Sequence, residues 1–359
     1  MNILFRVDAS IAIGIGHVIR CLTLASALRE RKHRSLFVGR EHLGNLNAFV
    51  QSQGFEVFSL PLGQLQDSDL YHAHWLGASQ QEDAQACRST IENFRPDWLI
   101  VDHYALDKCW EEAVRPPHCR FLVIDDLADR VHQCDLLLDQ NLGRQADHYR
   151  PWVPEDCAVL AGPHNALLRP EFSELRDESL SCRAARPLHQ VLIALGGVDQ
   201  HNQTGAILEA LKCCDLPEGI RFTIVLGATA PHPQAVRDIA ITCPWPVEVL
   251  CDISDMAEQM AVADLAIGAG GGTSWERCCL GLPTLLVVLA ENQKAAALAL
   301  EATGGIQIID LTIPLTKQLQ SAFTRLSKSG VLHSMAIAAS QITDGRGVER
   351  LLAAMEFSE

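Results

Sequence analysis

Residues 2–31, NILFRVDASIAIGIGHVIRCLTLASALRER, decide the fold. The run 2–8 reads as a buried strand, Gly14-Ile15-Gly16 as a turn, and from His17 apolar residues recur at helical spacing to residue 31. A strand that passes through a glycine turn into a helix is the first half of a βαβ unit, and repetition of that unit builds a parallel sheet. A dinucleotide fingerprint would carry a third glycine three residues after Gly16, where Ile19 stands. The turn presents a histidine instead, and Gly14 and Gly16 let a ligand approach the backbone beside it.

The same rhythm continues outward in two series. The first has predicted strands at 2–8, 34–39, 55–59, 97–102, 120–124 and 135–138, with its clearest helix at 17–31. Residues 169–188, RPEFSELRDESLSCRAARPL, interrupt it with charge, serine and two prolines and read as a connecting helix or linker. The second series has strands at 190–195, 221–226, 247–251, 264–268, 284–288 and 306–309. Its helices fall near 203–214, 233–241, 255–262, 273–280 and 292–303, and further helices near 315–328 and 346–356 close the chain. The expected class is α/β, with two doubly wound Rossmann-like domains facing across a cleft: 1–168, a linker 169–188, 189–345, and a C-terminal helix in 346–359 that could pack back on the first domain.

With 359 residues and 48% hydrophobic composition the chain can fill two cores. A formal charge of −15 argues against a nucleic-acid or anionic-membrane partner, which would call for a basic surface. Thirteen scattered cysteines without a CxxC pair read as buried thiols of a reducing cytoplasm. The start of the chain lacks a basic region followed by an apolar run, and the longest apolar stretch, 282–290, is too short to span a bilayer. A cytoplasmic location is expected.

Ligands of open parallel sheets bind beyond the carboxyl ends of the strands. Two glycine-rich turns stand there in the second series: Gly196-Gly197-Val198-Asp199, with Asn202 and Thr204 opening the next helix, and Gly270-Gly271-Gly272-Thr273-Ser274-Trp275-Glu276. Their amides, the helix macrodipole and the Thr273 and Ser274 hydroxyls suit a diphosphate without a metal, although glycines also serve tight βα turns. Glu276 either complements a helix dipole or accepts the vicinal hydroxyls of a ribose. Asn292 and Gln293 are candidates for sugar hydroxyls or amides, or an ordinary polar helix start.

The stretch 247–293, VEVLCDISDMAEQMAVADLAIGAGGGTSWERCCLGLPTLLVVLAENQ, resembles the donor-binding half of GT-B nucleotide-sugar enzymes, notably the N-acetylglucosaminyl transferase that makes lipid II. The resemblance implies that Glu276 holds the ribose, that Gly271 and Gly272 hold the diphosphate, that the segment with Ile253 reads the uracil edge, and that Gln293 contacts the donor sugar. A narrower resemblance spans nearly the whole chain. LFRVDASIAIGIGHVIRCLTLA (4–25), VDHYALD (101–107), IDDLADRVHQCDLLLDQN (124–141), GPHNALLRPEF (162–172) and GGVD (196–199) are similar to the UDP-2,4-diacetamido-2,4,6-trideoxy-β-L-altropyranose hydrolases of pseudaminic acid biosynthesis. An insertion-like stretch, 64–86, with His72, His74 and Trp75, matches nothing in that family.

This resemblance implies hydrolysis of a UDP-sugar at the anomeric carbon, with His17 as general base and no cofactor. A histidine at a helix start suits that role, since the macrodipole favours its neutral form and imidazole titrates near working pH. Its plainer role is a capping or core histidine. Asp8 either orients His17, binds a sugar hydroxyl or caps a turn; Tyr104 either touches sugar or water or is a half-buried strand-end residue. Arg6 and Arg20 read as structural or surface charges. Asp125 and Asp126 with His132 and Cys134 fit no metal pattern, and His72-x-His74 reads as a solvated loop. Alternatives are a UDP-sugar glycosyltransferase or epimerase on the same scaffold, and a non-catalytic nucleotide-sugar sensor. An NAD oxidoreductase is disfavoured because Gly39-Arg40, not an acid, ends the second strand.

Overall fold

The computed structural model describes residues 1–64, 69–183, 186–196, 199–227, 230–289 and 293–356. The chain forms two compact units, one of Met1–Leu167 with Gly347–Glu359, the other of Leu168–Arg346.

In the first unit β1 (Asn2–Val7), α1 (Gly16–Glu30), β2 (Arg34–Arg40), α2 (Asn47–Ser52), β3 (Glu56–Leu60), a 3-10 turn (Ala73–Leu76), α3 (Gln80–Phe94), β4 (Trp98–Asp102), α4 (Lys108–Val114), β5 (Arg120–Ile124), β6 (Leu136–Asp139) and β7 (Ala158–Ala161) follow one another. The seven strands are parallel in the order β3-β2-β1-β4-β5-β6-β7, so the direction of winding reverses between β1 and β4. These central strands are buried almost throughout, because helices cover both faces, while edge strand β3 alternates exposed and covered residues. Strand β7 and helices α2, α3 and α4 were not anticipated; β7 has only four residues and one helix carries seven.

Helix α1 buries Val18, Cys21, Leu22, Leu24, Ala25 and Leu28 against Ile3 and Phe5 of the sheet. Each fully buried aliphatic side chain of this kind contributes about 2 kcal/mol. Helix α3 begins with a Ser79–Glu82 capping box. It delivers Asp83 into the core, where it accepts hydrogen bonds from Arg6, Arg40 and the Trp110 indole. Through Asp83 the insertion-like stretch therefore contributes to a buried ionic network of the first unit.

The second unit contains α5 (Pro170–Glu174), α6 (Arg176–Arg183), β8 (Gln190–Ala194), α7 (Gln203–Leu211), β9 (Arg221–Leu226), α8 (Pro233–Ile241), β10 (Val247–Cys251), α9 (Met256–Val262), β11 (Leu265–Ala269), α10 (Thr273–Cys279), β12 (Thr284–Val287), α11 (Lys294–Ala302), β13 (Ile306–Ile309), α12 (Leu315–Leu326) and α13 (Val331–Ser340). Its six strands are parallel in the order β10-β9-β8-β11-β12-β13, reversing between β8 and β11. The 169–188 segment forms α5 and α6, pinned by Arg176 and Arg183, whose guanidinium groups donate to carbonyls of Cys279, Ser340, Leu280 and Met260. The last helix, α14 (Gly347–Glu356), belongs to the first unit and buries Leu351, Leu352 and Met355 in the core behind α1.

All thirteen cysteines are free; Cys109, Cys213 and Cys251 are exposed rather than buried as expected. Among the described residues no helix is long and apolar enough to cross a membrane.

Candidate functional site

The winding reverses between β1 and β4, the place where open parallel sheets bind ligands beyond the carboxyl ends of their strands, and a cluster of polar side chains of the first unit lies there. The Ser10 hydroxyl accepts the amides of Ala12 and Ile13, and Gly14 bonds back to the Ser10 carbonyl at a φ of +83° that favours glycine. A side chain at Gly14 or Gly16 would meet no protein atom, so the backbone there is open to a ligand. Gly16 starts α1 and His17 follows, its side chain 11% exposed, enough for one ring edge to reach solvent.

His17 Nδ1 lies 2.6 Å from Oδ1 of the buried Asp102, which ends β4. A carboxylate at that distance accepts the Nδ1 proton and leaves Nε2 as the lone-pair nitrogen. Arg20, one turn along α1, forks onto the same carboxylate, Nε to Oδ2 at 2.6 Å and Nη2 to Oδ1 at 2.7 Å, while its Nη1 reaches Asp126 at 2.7 Å. Tyr104 donates its hydroxyl to Asp126 at 2.6 Å. Burial pushes the Asp102 carboxyl up, but the Arg20 charge and His17 outweigh it and hold the group well below the usual carboxylate range. Burial, reinforced by the Asp126 charge, pushes the Tyr104 phenol up, so it stays a donor.

Several expected assignments change. Asp8 does not touch His17: fully buried, it accepts both arms of Arg6 and the Arg40 amide, with His103 Nε2 3.2 Å from its Oδ2. Its carboxylate is occupied within the core, and Asp102, unassigned in the sequence, orients His17. Arg6 and Arg20 are buried or nearly so and ion-paired. Tyr104 brings its ring, not a free hydroxyl, to His17, edge-on at 4.7 Å between centroids. His72 is buried, and Trp75 lies across Tyr104. Asp126 joins the cluster, whereas Asp125 pairs with Arg130 and His132 with Glu111. Among the described residues no three His, Cys, Asp or Glu side chains are grouped to hold a metal.

In the second unit the candidates lie after β8, β10, β11 and β12. Gly196 (φ +96°) and Gly271 (φ +111°) occupy backbone conformations that favour glycine, and like Gly272 they leave open space where a side chain would be. Gly197 and Asn292 lie outside the described residues. The Asp199 and Asn202 side chains cap α7 through the amides of Gln203, Thr204 and Gly205. Thr273 is exposed, whereas Ser274 is buried and its hydroxyl oxygen accepts a hydrogen bond from Arg277 at 3.1 Å. Arg277, unremarked in the sequence, lies fully buried beneath the turn and donates to the Ala269 carbonyl. Burial lowers it to about 10, which leaves it charged at neutral pH and adds positive potential under the glycines.

Glu276 is half-buried; burial raises its carboxyl despite the nearby Arg169 and Arg277. Ile253 is half-buried just after β10. The Gln293 side chain packs on Gly270 and accepts the Leu289 amide at 3.2 Å, which ties the β12 loop to the β11 turn.

Comparison with known proteins adds to this geometry. Residues 220–350 match the family model of the glycosyltransferase family 28 C-terminal domain. An uncharacterized protein of Methanocaldococcus jannaschii is 24% identical over 82% of this chain, which spans 56% of that relative. The spore coat polysaccharide biosynthesis protein SpsG of Bacillus subtilis is 22% identical over 99% of this chain and 98% of its own. The UDP-2,4-diacetamido-2,4,6-trideoxy-beta-L-altropyranose hydrolase of Campylobacter jejuni is 26% identical over 67% of this chain and 74% of its own. Among solved structures, MurG of Acinetobacter baumannii superposes with a TM-score of 0.72 at 17% identity, covering 99% of both chains. The UDP-GlcNAc 2-epimerase of Neisseria meningitidis, bound to UDP-GlcNAc, gives 0.64 at 11% identity over 99% of this chain and all of its own. With the two parallel sheets, these likenesses establish an α/β fold of two doubly wound domains, the GT-B fold.

Proposed function

We propose that the protein is an enzyme of UDP-sugars, and that its reaction is hydrolysis at the anomeric carbon of a UDP-linked 2,4-diacetamido-2,4,6-trideoxy sugar. The observation that carries this is the His17–Asp102 pair, which leaves a basic Nε2 at the β1/β4 reversal of the first unit. His17 removes a proton from water as the water oxygen bonds to C1; the C1–O bond to phosphorus breaks and its electron pair leaves with UDP. Asp102 stabilises the imidazolium that forms, and Arg20 keeps that carboxylate ionised. The open turns at Gly196 and Gly271–Gly272, above the Arg277 charge, suit the departing diphosphate, and Glu276 suits the ribose hydroxyls.

The Campylobacter jejuni relative supports hydrolysis, and the glycosyltransferase family model supports a second reading in which a hydroxyl acceptor replaces water before the same base. Turnover of the UDP-linked sugar in oxygen-18 water separates them. Label in the free sugar, with UDP released in the absence of any acceptor, is the expected outcome. Label in UDP would mean attack at phosphorus and would overturn the proposal, and no release without an acceptor would favour transfer. A His17→Asn variant that binds UDP normally should release sugar at least 100-fold more slowly, on the order expected for loss of a general base.

A further inference from the structure

The 3-10 turn Ala73–Leu76 places an aromatic wall beside the base. Trp75 lies nearly parallel to Tyr104, with centroids 5.6 Å apart and 22° between planes. His72 lies 4.3 Å from Trp75 and 5.4 Å from Tyr104, and the His17 ring is 4.7 Å from Tyr104 and 6.4 Å from Trp75. Burial lowers His72, so its imidazole stays neutral at physiological pH and adds no charge to the wall.

The wall is held on both sides. Leu76 is buried beneath the turn, Gly77 closes it at φ +67° and its carbonyl accepts the Gly63 amide at 2.8 Å, and α3 starts two residues later at its capping box. On the other side the Tyr104 hydroxyl is fixed on Asp126, which also receives Arg20. Trp75 is nevertheless only half-buried. A large aromatic side chain that is fixed in place, left partly open and set beside a catalytic base has the character of a contact surface for substrate rather than of core.

We infer that Trp75 is a specificity-determining residue that packs on an apolar face of the sugar, a reading that rests on the UDP-sugar function proposed above. An indole face attracts C–H groups and leaves a hydroxyl without a partner. The wall therefore selects sugars carrying methyl groups, those of acetamido substituents and of a deoxygenated C6, over their hydroxylated counterparts. The wall is assigned to the sugar alone, so UDP binding is expected to be independent of Trp75.

The test measures equilibrium binding by titration calorimetry in the His17→Asn background, where turnover does not interfere. The probes are UDP, UDP-N-acetylglucosamine and its 6-deoxy analogue, and the proteins carry Trp75, Trp75→Phe or Trp75→Ala, each checked for folding by thermal melting. The parent should prefer the 6-deoxy sugar, and Trp75→Ala should weaken that ligand about ten-fold, as befits loss of one aromatic contact, with UDP affinity held within two-fold. Trp75→Phe should retain most of the preference. Unchanged sugar affinity in a folded Trp75→Ala protein refutes the role of Trp75 and leaves the hydrolase reading standing. A Trp75 effect on binding, in a protein whose wild type releases no UDP in water, refutes hydrolysis and leaves this inference standing. Failure of the parent to bind any of the UDP-sugars refutes both.

Discussion

Replacing Asp102 by Asn removes one charge at nearly constant shape and tests the proposed base more closely than replacing His17 itself. Two ions about 4 Å apart in a medium of effective dielectric about 20 attract by roughly 4 kcal/mol. Asp102 lies 2.6 Å from Nδ1 and is buried, so solvent does not screen it from the imidazolium that forms when His17 takes a proton. Losing about 4 kcal/mol from the transition state slows the chemical step on the order of 1,000-fold. The same substitution leaves Arg20 with Asp126 as its remaining carboxylate, at a stability cost of up to about 3 kcal/mol. Activity and folding must therefore be read separately. UDP release is measured under saturating substrate, the folded fraction by circular dichroism, and UDP affinity by calorimetry. Expected are a rate loss of two to four orders of magnitude in a protein still fully folded at the assay temperature, and UDP affinity within about two-fold. A folded Asp102→Asn protein that loses less than ten-fold would refute the orienting role of the carboxylate.

Asp139 sits fully buried at the end of β6, where burial and the Asp126 charge raise it to about 7. Between the unfolded value of about 3.9 and that value the folded state holds a proton that the unfolded state has released, so stability falls as pH rises from about 4 to 7 and is level above. Urea midpoints should decline over that window in the wild type and stay flat in Asp139→Asn; parallel profiles would contradict the assignment. Asp102 has the opposite sign: its stabilising contribution is complete above the unfolded carboxylate value and is lost as pH falls through its depressed folded value, so Asp102→Asn should blunt acid unfolding below about pH 4. Glu276→Ala should weaken UDP binding at least about ten-fold in calorimetry, the cost of removing a charged hydrogen-bond acceptor, and undiminished affinity would remove it from the ribose site. A methyl at Gly347 would overlap the Ala166 carbonyl, so Gly347→Ala should destabilise the first unit by more than about 2 kcal/mol in urea denaturation.

The parallel sheets were legible because twelve runs rich in β-branched and aliphatic residues alternate with stretches of helical spacing, whereas the strand order with its two reversals emerges only from the pairing of the strands. His17, the proposed base, stood out in the sequence through its glycine turn. What the sequence concealed was partnership across the sheet. Asp102 ends an ordinary strand, Arg20 resembles any solvent-facing arginine on a helix, and Asp126 sits among turn acids; only the juxtaposition of β1, β4 and β5 turns them into one network. Asp8 misled for the complementary reason, since a strand-end aspartate looks available until Arg6 is seen to bridge it to Asp83 of α3, which also takes Arg40 from the end of β2. Arg277 escaped notice because its neighbours Thr273 and Ser274 advertise a phosphate site, while its own contribution comes from beneath.

Helix α14 has a bearing on biosynthesis. The helix that carries His17 rests on a core whose Leu351, Leu352 and Met355 are translated after the entire second unit. While a ribosome is still making residues 168–346, the nascent first unit exposes the apolar seat that those three side chains later fill, and it has no chain with which to fill it. The helix that carries His17 thus reaches its final packing only after the second unit has been made, and the interval in which that seat stands open to chaperones or to aggregation is set by the time needed to translate the second unit.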